Sequence, residues 1–218
     1  MHCLLVAATA AEIAPFTDHL GLTEKLDHID MDIDILITGV GNMAATYALA
    51  RYLQHRKPDL VIQAGVAGCF DPDIPLGTVF AVKQDGVADQ GVEEKTGFRD
   101  LFDLSLAKPN ELPYKKGVLV NPYTNLLKRS RLKKAIGITV NEISTSKKRM
   151  AHYRNTHKAV LESMEGAGFH YACLLENIPF MQVRAVSNYA GERNKKKWNL
   201  PLAIGNLNKE LIRLLESL

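Results

Sequence analysis

The chain has 218 residues, 46% of them hydrophobic and 23% charged, with a formal net charge of +3. That size supports one α/β domain with its own core, and the composition excludes a largely disordered chain. Much of the positive balance lies in two local runs, Lys147-Lys148-Arg149 and Lys195-Lys196-Lys197, which read as solvated faces; with no broad basic stripe interleaved with aromatics, nucleic-acid binding is not expected.

Cys3, Cys69 and Cys173 are odd in number, far apart and without CxxC spacing. The pattern argues against a disulfide framework or a zinc site and predicts buried, reduced thiols in a cytoplasmic protein. The histidines, His28 among them, show no metal-ligand spacing, and Asp71-Pro72-Asp73 reads as turn chemistry. Neither a metal nor an organic cofactor is expected. The apolar N-terminal run is short and follows no Lys or Arg, so it reads as a buried strand and not a signal segment. No stretch approaches the roughly 20 apolar residues of a membrane span.

Residues 2–9 read as a first strand and residues 10–20 as a short helical turn carrying Glu12. Residues 32–38 form a strand ending at Gly39-Val40-Gly41, after which Asn42 opens a helix that Pro58 stops. Residues 59–63 are a short buried strand closed by the turn Ala64-Gly65-Val66-Ala67-Gly68. A strand follows at 78–83, then an irregular stretch over 85–113 punctuated by Gly and Pro. Short strands are expected at 117–121, at 137–140 and around Val160-Leu161-Glu162, the last approached through residues 155–159. Residues 166–175 read as a helix and 179–187 as a strand. The tail from Asn199 is an amphipathic helix, with Leu207, Leu211, Leu214 and Leu215 at helical spacing. Alternating strands and helices predict a mostly parallel sheet covered on both faces, in a single domain spanning residues 1–218.

Gly39-Val40-Gly41-Asn42-Met43-Ala44 matches a dinucleotide-binding GxGxxA, but the strand at 59–63 ends in Gln63 where an acid should hold a ribose hydroxyl. That argues against a dinucleotide site. Glycines in the second turn would let backbone N–H groups approach a ligand closely. Either the two turns are no more than tight turns, or they lie beyond the carboxyl ends of their strands and face one pocket.

Several segments, in order along nearly the whole chain, resemble the nucleoside phosphorylase/nucleosidase superfamily: Thr38-Gly39-Val40-Gly41, Lys57-Pro58-Asp59-Leu60-Val61-Ile62 with Gly65-Val66-Ala67-Gly68, Leu76-Gly77-Thr78-Val79, Glu162-Ser163-Met164-Glu165-Gly166-Ala167, and Val183-Arg184-Ala185-Val186-Ser187-Asn188. Within it, the run from Arg184 to Asn194 followed by Trp198 is similar to the C-terminal signature of the futalosine hydrolase family. Methylthioadenosine nucleosidases carry Asp where this chain has Asn188. The resemblance implies a three-layer αβα sandwich with a central mixed, partly barrel-like sheet, and a homo-oligomer. It also implies hydrolysis of futalosine to hypoxanthine and dehypoxanthine futalosine, a menaquinone-pathway step, with water as nucleophile.

Cleaving an N-ribosidic bond builds positive charge on the ribose and electron density on the base. A catalyst must hold the sugar, relieve the base and position a nucleophile. Glu165 suits the sugar, because a carboxylate accepts from both vicinal hydroxyls; on the residues alone it reads equally as an acid at a helix N-terminus. Met164 offers the sugar an adaptable apolar surface. Glu12 alone reads as an ordinary helix acid, and the resemblance implies that it activates water. Asn188 is either a turn residue or a base-facing amide, whose NH₂ donates toward N7 and O6 of a 6-oxopurine. Gly65, Val66 and Ala67 would add backbone and small-residue contacts to the substrate. Arg184 either pairs with a buried acid or reaches the carboxylate on futalosine's side chain, for which Arg193 and Lys195 to Lys197 are the other candidates. Residues 6–16 contain Glu12 and no Arg or Lys, which disfavours phosphate and favours a hydrolase. The alternatives are a methylthioadenosine/S-adenosylhomocysteine nucleosidase, against which Asn188 speaks, and a non-catalytic nucleoside-binding protein.

Overall fold

In a computed structural model that describes residues 1–22 and 31–217, the chain opens with β1 (His2–Ala7), α1 (Ala10–Leu22), β2 (Asp32–Ile37), α2 (Asn42–His55) and β3 (Leu60–Cys69). It continues through β4 (Val79–Asp85), β5 (Gly91–Glu94), β6 (Gly97–Asp100), β7 (Leu119–Val120), α3 (Thr124–Arg129) and β8 (Lys133–Thr139). The last elements are α4 (Lys147–His157), β9 (Leu161–Ser163), α5 (Gly166–Leu175), β10 (Phe180–Tyr189) and α6 (Leu200–Glu216). His28 lies outside the described residues.

Strands β10, β4, β8, β9 and β3 pair in that order, and β10 pairs back with β3, so these strands close into a barrel. One edge of β3 serves two neighbours in turn: β1 along Leu60 to Gln63, then β9 at Gly68 and Cys69. β2 extends the sheet beyond β1. The pairings of β10 with β4, β3 with β9 and β4 with β7 are antiparallel, so the sheet is mixed. Counting alternating strands and helices did not reveal this, because β4 follows β3 with no helix between them.

Helices α2 and α5 pack together on one face, where Leu49, Leu53, Phe169 and Cys173 meet Leu4, Val6, Val61 and Phe180. Helices α1 and α6 cover the other, with Ile13, Phe16, Leu207 and Leu211 on Leu5, Ile62 and Val183. The result is a three-layer αβα sandwich around a mixed, barrel-like sheet. Leu214 and Leu215 complete the buried stripe of α6. All three cysteines are buried and free. Among the described residues, no helix is long and apolar enough to cross a membrane.

The expected turn at Ala64-Gly65-Val66-Ala67-Gly68 does not exist: β3 runs straight through it to Cys69. Its glycines are there for close approach. A Cβ at Gly65 would stand 2.3 Å from Arg184 Nη1 and 3.0 Å from Glu12 Oε1. The first glycine turn is real, with Gly39 at φ 84° and Gly41 at φ 103°.

The short turn expected at 10–20 is a 13-residue helix despite Pro15 within it. Asn208 of α6 supports it there. Its Nδ2 donates to the Glu12 carbonyl at 2.8 Å, and its Oδ1 accepts from Phe16 N at 3.0 Å. Those are the two groups an i→i−4 helix bond would join, so the amide is inserted into the helix ladder. The irregular stretch holds the β5–β6 hairpin, and residues 155–157 close α4 instead of leading into a strand. Helix α4 reads KKRMAHYRNTH, with no apolar stripe to announce it; its start is capped by Ser146, which accepts from Arg149 N at 3.4 Å.

Candidate active site

The far halves of β3 and β10, the short strand β9 and the first turn of α1 wall a cavity of about 350 Å³. Glu12, Val66, Ala67, Met164, Glu165 and Asn188 all stand in its wall. Gly65 and Arg184, expected as substrate contacts, do not; they lie behind it.

Glu12 is no exposed helix acid, being 8% exposed. Its Oε2 accepts from Thr9 N at 3.0 Å and Thr9 Oγ1 at 3.1 Å, and its Oε1 accepts from Val66 N at 3.1 Å. The donors come from the turn between β1 and α1 and from β3, which fixes the carboxylate where the two meet.

Glu165 occupies the N-cap position of α5, yet its side chain makes no capping bond there. Oε1 accepts from Gly41 N at 3.1 Å, and Oε2 meets Arg184 Nη1 at 3.3 Å. The glycine turn after β2 therefore serves a carboxylate of the protein.

Arg184 is 1% exposed and pairs with a buried acid, the first of its two sequence readings. Nε donates to Gln182 Oε1 at 3.0 Å, Nη2 to Gln63 Oε1 at 3.1 Å and Nη1 to the Val66 carbonyl at 3.3 Å. Gln182 in turn donates to Asp85 at 3.0 Å, and Thr139 donates to the same acid. Burial pushes the Asp85 carboxyl above its ordinary range. These bonds form a polar spine under the cavity floor, from Asp85 to Glu165, which satisfies groups that would be costly to bury alone.

Asn188 follows a bulge. On β10, Val186 pairs with Ala67 and Asn188 with Gly68, leaving Ser187 over. A bulge re-aims the residue after it, and here it turns the amide into the cavity. Asn188 Oδ1 accepts from Ser187 Oγ at 2.8 Å and Nδ2 donates to the Tyr189 carbonyl at 3.1 Å, which leaves the second amide hydrogen for a ligand.

The wall also holds residues to which the sequence reading gave no role. Glu162 stands on β9, 7% exposed, with its Oε2 buried and unpartnered. Burial, with Asp89 adding to it, pushes this carboxyl up to about 7. Its signal was available: a lone acid inside an otherwise apolar strand. Val40, Ile143 and Trp198 add apolar surface at the rim. Arg193 is the basic residue in the wall, 5.9 Å over the Trp198 ring, whereas Lys197 is taken by Glu192 at 2.7 Å. Among the described residues, no group of His, Cys, Asp and Glu is arranged to hold a metal ion.

Two acids held by separate donors in one cavity wall, with an amide and apolar side chains beside them, suit a polar ligand that carries hydroxyls and a flat heterocycle. A family model described as Phosphorylase superfamily matches residues 30–216. The chain belongs to the phosphorylase superfamily. Within that superfamily it is similar to the futalosine hydrolase of Thermus thermophilus, 32% identical over 181 residues, which are 83% of this chain and 80% of that one. It is also similar to the futalosine hydrolase of Streptomyces coelicolor, 29% identical over 228 residues, covering 98% and 95% of the two chains. Among solved structures, the futalosine hydrolase of Helicobacter pylori shares the fold, with a TM-score of 0.82 over 100% of this chain and 98% of that one at 17% identity. This member of the phosphorylase superfamily is a nucleosidase, a hydrolase of N-glycosidic bonds.

Proposed function

We propose that the substrate is futalosine and that the products are hypoxanthine and dehypoxanthine futalosine. The observation that carries this reading is the composition of one cavity wall: Glu12, Glu165 and Asn188 share it. Glu165 accepts from the ribose hydroxyls, Met164 packs on the sugar, and Glu12 orients water and takes its proton as oxygen attacks C1′. Asn188 donates its remaining amide hydrogen to the N7/O6 acceptor edge of a 6-oxopurine. Adenine presents a donor at its 6-position, and with Asn188 Oδ1 already accepting from Ser187 Oγ the group left to the base is a donor, which favours hypoxanthine. Arg193, at the rim, is the cation available to the carboxylate of the 5′ substituent.

Water is favoured over phosphate as nucleophile by the charge of the inner wall, where Glu12 and Glu165 face the sugar and Arg184, the guanidinium paired with Glu165, is engaged beneath. The test is incubation with futalosine, inosine and methylthioadenosine, each with and without phosphate, followed by chromatography of the released base. Hypoxanthine from futalosine without phosphate is expected. Adenine from methylthioadenosine with no reaction on futalosine rejects the substrate, and phosphate-dependent turnover rejects hydrolysis.

A further inference from the structure

In the hydrolysis just described, the departing base gains an electron pair at N9 and must gain a proton to leave neutral. Asn188 cannot deliver one, since a carboxamide does not give up its N–H at neutral pH. The wall contains four carboxyls. Glu12 takes Thr9 and Val66 as donors, Glu165 takes Gly41 and Arg184, and Glu192 takes Lys197 and Asn194 N. Each of these three carboxyls already accepts from two or more donors. Among the described residues, no hydrogen-bond donor reaches the buried Oε2 of Glu162.

Its position is specific. Across the barrel wall, Glu162 on β9 pairs with Gly68 on β3, and Gly68 pairs with Asn188 on β10. Residues in register across neighbouring strands point to the same side, and two strand spacings put the outer pair at most about 10 Å apart at Cα. The residue between them has no side chain, and a Cβ there would approach Asn188 Nδ2 to 3.4 Å. The row is therefore a bare floor with an amide at one end and a carboxyl at the other, a slot for one planar base.

We infer that Glu162 is the general acid of this nucleosidase, protonating the departing purine on the edge opposite Asn188. With N7 at Asn188, that edge carries N3. Water oxygen bonds to C1′ as the C1′–N9 pair goes to the base; the Glu162 proton passes to N3, and the water proton passes to Glu12. Exchange with solvent then returns both carboxyls to their starting forms. This inference rests on the nucleosidase reading of the cavity.

Burial raises the carboxyl to about 7, so its protonated form is available on the acid side of neutrality. Its register neighbours, Ile138 on β8 and Gly68 on β3, carry no charge. Asp89, from the loop after β4, raises it further. Tyr153 on α4 is itself pushed up to about 12, by burial first, and stays neutral.

The test is steady-state kcat and KM for futalosine from about pH 5 to about pH 9, on the whole wild-type chain and on Glu162→Gln and Glu162→Asp. An acid that must be protonated predicts a wild-type kcat that falls about tenfold per pH unit above about 7. Glu162→Gln should lower kcat about 10²-fold at about pH 6, leave KM within about threefold and abolish the falling limb. Glu162→Asp should keep the limb at a displaced midpoint. Wild-type kcat in Glu162→Gln, or an unchanged limb in that variant, overturns the assignment. Should the Gln variant not fold, an unmoved midpoint in Glu162→Asp does so instead. A wild type that spares futalosine but cleaves inosine or methylthioadenosine rejects only the substrate, and the same profiles are then read on that nucleoside. Absence of turnover on all three rejects the nucleosidase reading together with this one.

Discussion

Glu12 and Glu165 are tied together through a single residue: the Val66 N–H donates to Glu12 at 3.1 Å, and the Val66 carbonyl accepts at 3.3 Å from the arginine, Arg184, that grips Glu165. The group assigned to water and the group assigned to ribose are thus set from the two sides of one β3 residue. Their separation does not depend on a mobile loop.

Arg184→Met should expose how much the pair matters. The change leaves Glu165 buried with one backbone donor, and removing one member of a buried pair costs about 3–5 kcal/mol. Urea denaturation should show a loss of that size, and KM for futalosine should rise as the ribose acceptor loses its orientation. Wild-type stability with wild-type KM would show that the guanidinium orients nothing.

Gly65→Ala tests the continuous strand. The added methyl meets Arg184 Nη1 at 2.3 Å and Glu12 Oε1 at 3.0 Å, neither of them the end of a free side chain. Overpacking of this kind costs about 1–3 kcal/mol. Both stability and kcat should drop in one variant, measured by thermal melting and hypoxanthine release. A tolerated alanine would mean that the two charged groups part easily.

Glu12→Gln puts an NH₂ where one oxygen now accepts, against the donors of Thr9 or Val66. The variant lacks the carboxylate proposed as base and turns its remaining oxygen away from one partner. Turnover should fall by about 10²- to 10⁴-fold with the fold intact by circular dichroism. A near-normal kcat removes Glu12 from the mechanism.

Asn188→Asp exchanges a donor for an acceptor on the base edge. Preference should move from 6-oxopurine toward 6-aminopurine nucleosides, read as the ratio of kcat/KM for inosine and adenosine. An unchanged ratio refutes base recognition at this position.

His170 gives the fold an acid-side signature. Burial pushes its ring down from an ordinary 6.5 to about 3, with Nδ1 in contact with the Leu119 carbonyl at 3.1 Å. Between those values the unfolded chain binds a proton that the fold refuses, so this group's contribution to stability falls as pH drops from 6.5 toward 3. Asp85 and Glu162, whose buried carboxyls are raised, act with the opposite sign. Urea midpoints of wild type and His170→Phe across that range should therefore diverge, the variant losing less at the acid end. Parallel curves would mean that the ring titrates normally.

The sequence disclosed most of the regular elements because their apolar periodicity is strong, as in α6, or their ends are punctuated, as at Pro58 and Gly39. It misread residues 64–68, where glycine signals a turn by default but here admits two charged side chains. Nothing local distinguishes those uses; the partner, Arg184, is more than a hundred positions away. Helix α4 was missed because its few apolar residues, Met150, Ala151 and Tyr153, form no stripe, and the barrel closure because strand pairing is not written in any one segment. At the site, Glu12, Glu165 and Asn188 could be named from motifs, whereas the unpartnered state of Glu162 depends on which donors fail to reach it, a property of three dimensions alone.

The shared edge of β3 has a further implication. The strand that holds Glu12 through Val66 also carries Gly68 between Glu162 and Asn188 and seams the barrel to β10, so these three side chains keep their spacing only while the barrel stays closed. Denaturant or heat should then abolish turnover and tertiary structure at one common midpoint, without the early loss of activity seen when a centre is built on pliable loops.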